Sequence, residues 1–417
     1  MHNQKPWSAA RAGLTIIAAT LMLVSGAWAA TEQVLYSFAG ATGQYPQAGL
    51  IFDGAGNLYG TAVEGGNDKA CRGSGCGVAF ELTPAAGGGW TETVIHAFDG
   101  ADGEYPVAPL VFDQAGNLYG TTQFGGKHGY GVVFELTPAT GGGWTEKVLH
   151  SFTLGYDGAY PMAGLAIDAA GNLYGTAEEG GQYGNGVAFE LLPTSSGWKH
   201  NILHSFGLHG TRPVGGLVLD HAGNLYGTTS MGGTSYGHGL VFELTPNASG
   251  PWNEIVLYKF QGKGHAGDDS AHPFGNLIFD GEGNLYGTTL NGGPHHNGRG
   301  VIFKLSPSSG GTWTETILHY AGRKGGYGYR SGLIFDAAGN LYGTAERGGG
   351  LEGGVVFRLS PTSKGFWKEA VLHSFGGGGV DGVLPIGGLV FDKAGNLYGT
   401  TNYGGTSNDG TVFEVTP

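Results

Sequence analysis

The chain has almost no cysteine, two residues in 417. That excludes a disulfide-rich scaffold and any metal site built on four cysteines. Basic residues are also scarce: 20 Lys and Arg stand against 33 Asp and Glu, for a net charge of −13. A basic surface is the footprint of nucleic-acid binders, so no nucleic-acid partner is expected. Beyond residue 24 no apolar run reaches the ~20 residues of a membrane span. No segment combines helical periodicity with caps. There is no Gly-x-Ser-x-Gly elbow, no His-Glu-x-x-His and no phosphate loop. Nothing in the sequence asks for a cofactor. Glycine is what abounds, at 86 residues, without the Gly-X-Y period of collagen.

The first thirty residues read as a secretory signal peptide. Lys5 and Arg11 form a positive start, Leu14 to Val24 is uncharged and apolar or small, and Ala27-Trp28-Ala29 supplies a small-x-small cleavage site. The remaining chain, 31–417, is expected to be secreted or periplasmic, monomeric and without a membrane span. In that setting Cys71 and Cys76, with four residues between them, are expected to close a local disulfide that pins a loop.

The hexapeptide Gly-Asn-Leu-Tyr-Gly-Thr occurs seven times unchanged, starting at Gly56, Gly116, Gly171, Gly223, Gly283, Gly339 and Gly395. A period of this size signals a solenoid, an array or a propeller. In the second copy, Leu110-Val111-Phe112 is a short strand. Asp113-Gln114-Ala115-Gly116 is a turn whose Asp can accept its own backbone amides. Asn117 to Thr122 returns, Val132 to Leu136 alternates as a third strand, and Trp144 to Phe152 is a fourth. Four short antiparallel strands per repeat make the blade of a β-propeller. The reading is therefore all-β: a seven-bladed β-propeller of four-stranded antiparallel blades in one domain, 31–417. Thr31 to Phe38 matches the fourth strand alone, and the C-terminus stops after a third strand. Pairing the two closes the ring and removes two sheet edges.

The pattern Asp-x-x-Gly-Asn-Leu-Tyr-Gly-Thr, then Gly-Gly, then Gly-x-x-Phe-x-Leu, resembles the GloVer tandem-repeat family of exported bacterial proteins. The resemblance covers nearly all of 31–417 and implies a propeller without assigning a biochemical activity.

Two connections vary between the repeats, the one after Gly-Gly and the one after the fourth strand. In a four-stranded blade both emerge on the same face, where binding usually lives. The non-repeating residues there are Phe124, Tyr130, Tyr183, Tyr236, His295, Arg347 and Tyr403, a set suited to flat polar ligands such as sugar rings. Tyr45, Tyr105, Tyr160 and His272 recur before Pro and read as structural. The repeated Asp (Asp53, Asp113, Asp168, Asp220, Asp280, Asp336, Asp392) reads as a turn cap. The position filled by His96, His150, His204, His319 and His373, or by Tyr36 and Tyr258, reads as packing. His295-His296 is a weak metal candidate. Asp99, Asp102 and Glu104 have calcium-like spacing, with Asp157, Asp269 and Asp381 in related loops, yet a solvated acidic turn is the plainer reading.

The function expected is an exported, non-catalytic propeller that binds a ligand, a glycan or a protein, through its variable loops. The alternative is a carbohydrate-active hydrolase or lyase using carboxylates near the central channel, with Glu178, Glu179 and Glu346 as candidates.

Overall fold

The computed structural model describes residues 30–67, 69, 71–235, 237–247, 250–262, 270–293 and 298–417. The signal-peptide reading lies outside the described residues, apart from Ala30. Seven antiparallel sheets follow one another along the chain. The second blade shows the plan: Val111–Phe112, Leu118–Thr122, Val132–Pro138 and Trp144–Ser151 pair in that order, from innermost to outermost. In the seventh blade, Thr31–Ser37 lies antiparallel to Thr411–Thr416 and supplies the fourth strand. Its pairing carries a register shift between Val34 and Tyr36, and each of the other six fourth strands has one at the equivalent place. Among the described residues no helix is long and apolar enough to cross a membrane.

Every residue of the hexapeptide has a physical task. Gly116 sits at φ +88°, a conformation that glycine alone adopts freely. Leu118 is fully buried. Asp113, just upstream, accepts the amides of Ala115 and Asn117 at 2.8 and 2.9 Å, the Asn117 side-chain amide at 2.8 Å and the Tyr119 hydroxyl at 3.2 Å. Burial works to raise the Asp113 pKa. The donors, the Asn117 amide first, outweigh it and hold the carboxyl below its ordinary value. The same four bonds recur on the other six aspartates, which are turn caps. At Gly120 there is no room for a side chain, because a Cβ would stand 2.5 Å from Cζ of Phe134.

The Thr and Tyr of the hexapeptide serve the next blade. The Thr121 hydroxyl donates to the carbonyl of Ala163, 3.1 Å away in the following blade, and Thr61, Thr176, Thr288, Thr344 and Thr400 make the same bond. Thr400 reaches Ala48 and so joins the seventh blade to the first. Only Thr228 has its buried hydroxyl without a partner. The Tyr59 ring meets Phe112 and Trp144 of the second blade edge-on, at 5.2 and 5.9 Å. Seven apolar clusters result, each shared between two neighbouring blades.

One seam is filled differently. At six fourth-strand ends a buried Phe, such as Phe98, meets the third-strand Phe of the next blade edge-on or tilted, with centroids 5.0–5.3 Å apart. In the fifth blade that residue is Ala321. The space is taken by Tyr329, from the segment leading into the sixth blade, which is fully buried and meets Phe357 at 5.5 Å.

Candidate functional site

The two variable connections of each blade are zipped together by short antiparallel pairings. Gln44 pairs with Glu64, Glu104 with Phe124, Ala159 with Glu179, Gly210 with Gly232, Ser270 with Gly292, Tyr327 with Arg347, and Gly382 with Gly404. Both sets of loops therefore share one face of the ring.

The chain then turns inward through a strained residue. Tyr45, Tyr105, Tyr160, Arg212, His272 and Leu384, each before a Pro, all adopt φ of +56 to +60°. Left-handed backbone in a non-glycine residue costs ~1–3 kcal/mol and persists only where surroundings impose it. Here it aims the amide at the preceding blade: Tyr105 donates to Cys76 at 3.0 Å and Leu384 to Gly353 at 2.8 Å, and each of the other four reaches a carbonyl of the blade before it. These positions are structural, as their recurrence implied.

The residue after that Pro faces the central channel. It is Gln47, Val107, Met162, Val214, Phe274 and Ile386 in six blades, and Arg330, after Tyr329, in the other. Together with Glu346 and Asn402 they line a cavity of about 630 Å³ to which all seven blades contribute. Its volume falls within the usual range for small-ligand pockets. The walls are mainly apolar, with charge concentrated at one sector. There the Arg330 guanidinium lies 5.4 Å from the centroid of Phe274, and its Nε donates to Oε2 of Glu346 at 2.6 Å. Arg347 approaches the other oxygen of Glu346 at 3.4 Å. Further out, Arg299 stacks on Tyr327 at 4.4 Å, and Arg323 pairs with Glu352 at 3.7 Å. Four of the chain's eight arginines thus lie around the loops leading into and out of the sixth blade.

The loop-face candidates named from sequence are spread around the ring. Phe124 contacts Tyr105 and Tyr160 at 5.8 and 5.3 Å, and Tyr130 contacts Tyr160 at 5.7 Å, so these form one aromatic group. Tyr403 packs on Tyr45 at 5.1 Å, and Tyr183 stands exposed. None of Phe124, Tyr130, Tyr183, Arg347 and Tyr403 lines the cavity. Tyr236, His295 and His296 lie outside the described residues. The channel-lining residue after each Pro escaped sequence reasoning. Its signal is a position that varies freely between constant neighbours. Of the candidate carboxylates, Glu178 is gripped by Arg212, whose Nε donates at 2.7 Å, and Glu346 by Arg330. Cys71 and Cys76 are disulfide-bonded.

The acidic loops fold back onto the outermost strands. Asp102 and His96 hydrogen-bond at 2.9 Å, Asp157 and His150 at 3.1 Å, and Asp381 and His373 at 3.4 Å. This amends two readings: Asp102, Asp157 and Asp381 are held by histidines while Asp99 is exposed in its turn, and the histidines pack on the following Phe, as His96 does on Phe98 at 4.7 Å, besides making these bonds. Asp269 lies outside the described residues.

The fold and channel define a seven-bladed β-propeller with an open, loop-decorated mouth. The chain belongs to the Gloeobacter/Verrucomicrobia repeat family, whose model matches residues 9–166, 70–266 and 235–417. No curated protein matches it in sequence. Among solved structures it is similar to PorZ, an essential surface component of the type-IX secretion system of Porphyromonas gingivalis, at 15% identity and a TM-score of 0.52, over 92% of this chain. The chain spans about half of PorZ, 47% of its length. It is also similar to the periplasmic gluconolactonase PpgL of Pseudomonas aeruginosa, at 15% identity and a TM-score of 0.52, over 86% of this chain and 96% of that one. At this identity the likeness concerns the fold.

Proposed function

We propose that the protein is an exported binding propeller that takes a carbohydrate at the channel mouth of its loop face, with acidic sugars favoured. One observation carries the reading: the sevenfold repeat is broken where residues meet the channel, and the break places Arg330 beside the Phe274 ring and on Glu346, with Arg347 behind on the other oxygen of Glu346. A ring face offers an apolar platform to a sugar, and a paired Arg and Glu offer donors and acceptors to vicinal hydroxyls. The surrounding arginines favour a carboxylate or sulfate on that sugar. Export is part of the same proposal, and the Cys71–Cys76 disulfide suits an oxidising compartment.

A hydrolase of this class needs one carboxyl held protonated beside a second one. Arg212 and Arg330 already engage Glu178 and Glu346 as ion-pair partners, so neither carboxyl stands free beside a second one, which supports binding over catalysis. A panel of neutral and uronate-containing oligosaccharides, scored for binding and for product together, tests the proposal. Saturable binding without product, weakened at least tenfold by Arg330→Ala, is the expected result. Product release abolished by Glu346→Gln would replace it with the hydrolase, and binding indifferent to Arg330 would remove the site.

A further inference from the structure

The outer strands carry a belt of polar contacts, one at each seam between blades. The fourth-strand His or Tyr of one blade faces the residue two after the Trp position of the next. Five of these pairs are incomplete as metal sites. His150 stacks on His200 at 4.0 Å, and Tyr258 and Tyr36 donate to Glu315 and Glu92. His204 and His319 face Glu254 and Glu369 at 3.6 and 3.4 Å. At the first three of the five a carboxylate or an imidazole is exchanged for another group, and at the last two no loop Asp joins the pair.

Two seams complete the set. At one, His96, Asp102 and Glu146 bring one ligand atom each to within 4.8 Å of one another; at the other, His373, Asp381 and Glu32 do the same. The two are equivalent by the symmetry of the ring: outer-strand His, loop Asp, and Glu from the next outer strand. In both, the second oxygen of the Asp is held by loop amides, Asp99 N at 2.8 Å and Gly376 and Gly377 N at 2.9 and 2.7 Å. Such anchoring leaves the first oxygen aimed at the imidazole, as around metal ligands. In both, Oε1 of the Glu is sealed from solvent with no hydrogen-bond partner. The same oxygen is unpartnered at Glu92, Glu254 and Glu369, but among the described residues only these two seams bring a loop Asp and a His within reach of the Glu together.

We propose that these two seams are metal sites, each holding one divalent first-row ion of the zinc type through one imidazole and two carboxylates, with water completing the shell. The donor set is one that zinc accepts. Each ion would join adjacent blades. The Glu32 site would also tie the N-terminal strand to the blade before it.

The test is titration of the purified, untagged full-length chain, stripped with chelator, with zinc chloride by calorimetry, and with cobalt(II) for its visible spectrum. Two equivalents are expected, with a tetrahedral cobalt band and a rise in thermal midpoint. The pair Asp102→Asn with Glu146→Gln should remove one equivalent, and the pair Glu32→Gln with Asp381→Asn the other. These near-isosteric changes remove charge and keep shape, and unchanged circular dichroism verifies the fold. No binding to the folded parent, or the same binding in the fourfold variant, overturns the proposal.

Discussion

Replacing Gly120 with alanine tests why the hexapeptide does not vary. The added Cβ would lie 2.5 Å from Cζ of Phe134 and 2.8 Å from Cδ2 of Leu110. Carbon atoms settle at about 3.5–4 Å, so the ring must retreat by ~1 Å. Phe134 is fully buried against Phe98 of the preceding blade, and has no space to retreat into without opening that seam. Overpacking of this kind costs ~1–3 kcal/mol, and a ring pinned on both sides belongs at the upper end. Phe134→Leu alone removes part of the ring and costs ~1–2 kcal/mol. In the double variant the smaller side chain makes room for the methyl. Its loss should therefore fall short of the sum by ~2 kcal/mol, well above the scatter of independent sites. Urea unfolding followed by tryptophan fluorescence reads this directly, since Trp144 and its counterparts sit in the seams. Losses that add within ~0.5 kcal/mol would refute the argument that the Phe ring forbids a side chain at this glycine.

Three further outcomes are expected. Thr121→Val should cost ~1 kcal/mol by leaving the Ala163 carbonyl unpaired, whereas Thr228→Val, whose hydroxyl has no partner, should be neutral or stabilising in the same urea assay. Deleting residues 31–38 strips an outer strand and the buried Phe38, and should lower stability by more than ~3 kcal/mol; an unchanged unfolding transition would disprove closure by that strand. The third concerns pH. The Glu32, Glu92, Glu146 and Glu369 carboxyls are raised to about 7, chiefly by burial, so the folded state holds protons that the unfolded state has released. Their contribution is fully present below the unfolded value and is lost as pH rises through 7. The depressed histidines His150, His200, His204, His319 and His373 act in the opposite sense as pH falls below their unfolded value of 6.5. Between pH 6.5 and 8 the glutamates alone remain. With chelator present, stability should drop there by ~1–2 kcal/mol after discounting for partial exposure. A flat profile across that window would contradict the burial of these groups.

The ring was legible because its signals are local. A turn Asp three residues before a glycine, alternating strands and a Trp at six of the seven fourth strands lie within a few residues of one another. What escaped depends on neighbours that the closed ring supplies. The Tyr and Thr of the hexapeptide look like ordinary strand residues until Trp144 and Ala163 of the next blade stand against them. Ala321 looks like a degenerate repeat until Tyr329 fills its space. His96 reads as packing because nothing local shows that the loop folds Asp102 back onto its ring. The channel set failed for a further reason. Gln47, Phe274 and Arg330 share no chemistry, and only their common place in the ring makes them a set. At the residues before each Pro, recurrence in sequence goes with a shared left-handed backbone whose amide bonds to the preceding blade.

Tyr329 and Ala321 set a limit on rearrangement. Six seams are built from the same Phe, so their blades present interchangeable faces, and one blade could be duplicated, lost or exchanged at those joints without inventing a new interface. The seam between the fifth and sixth blades is the exception. A blade ending in Ala321 placed before any other neighbour leaves a hole the size of a ring, and Tyr329 placed after any other blade meets a Phe already there. Those two blades are therefore matched to each other at this point, and separating them should cost more than dividing a seam filled by the Phe pair.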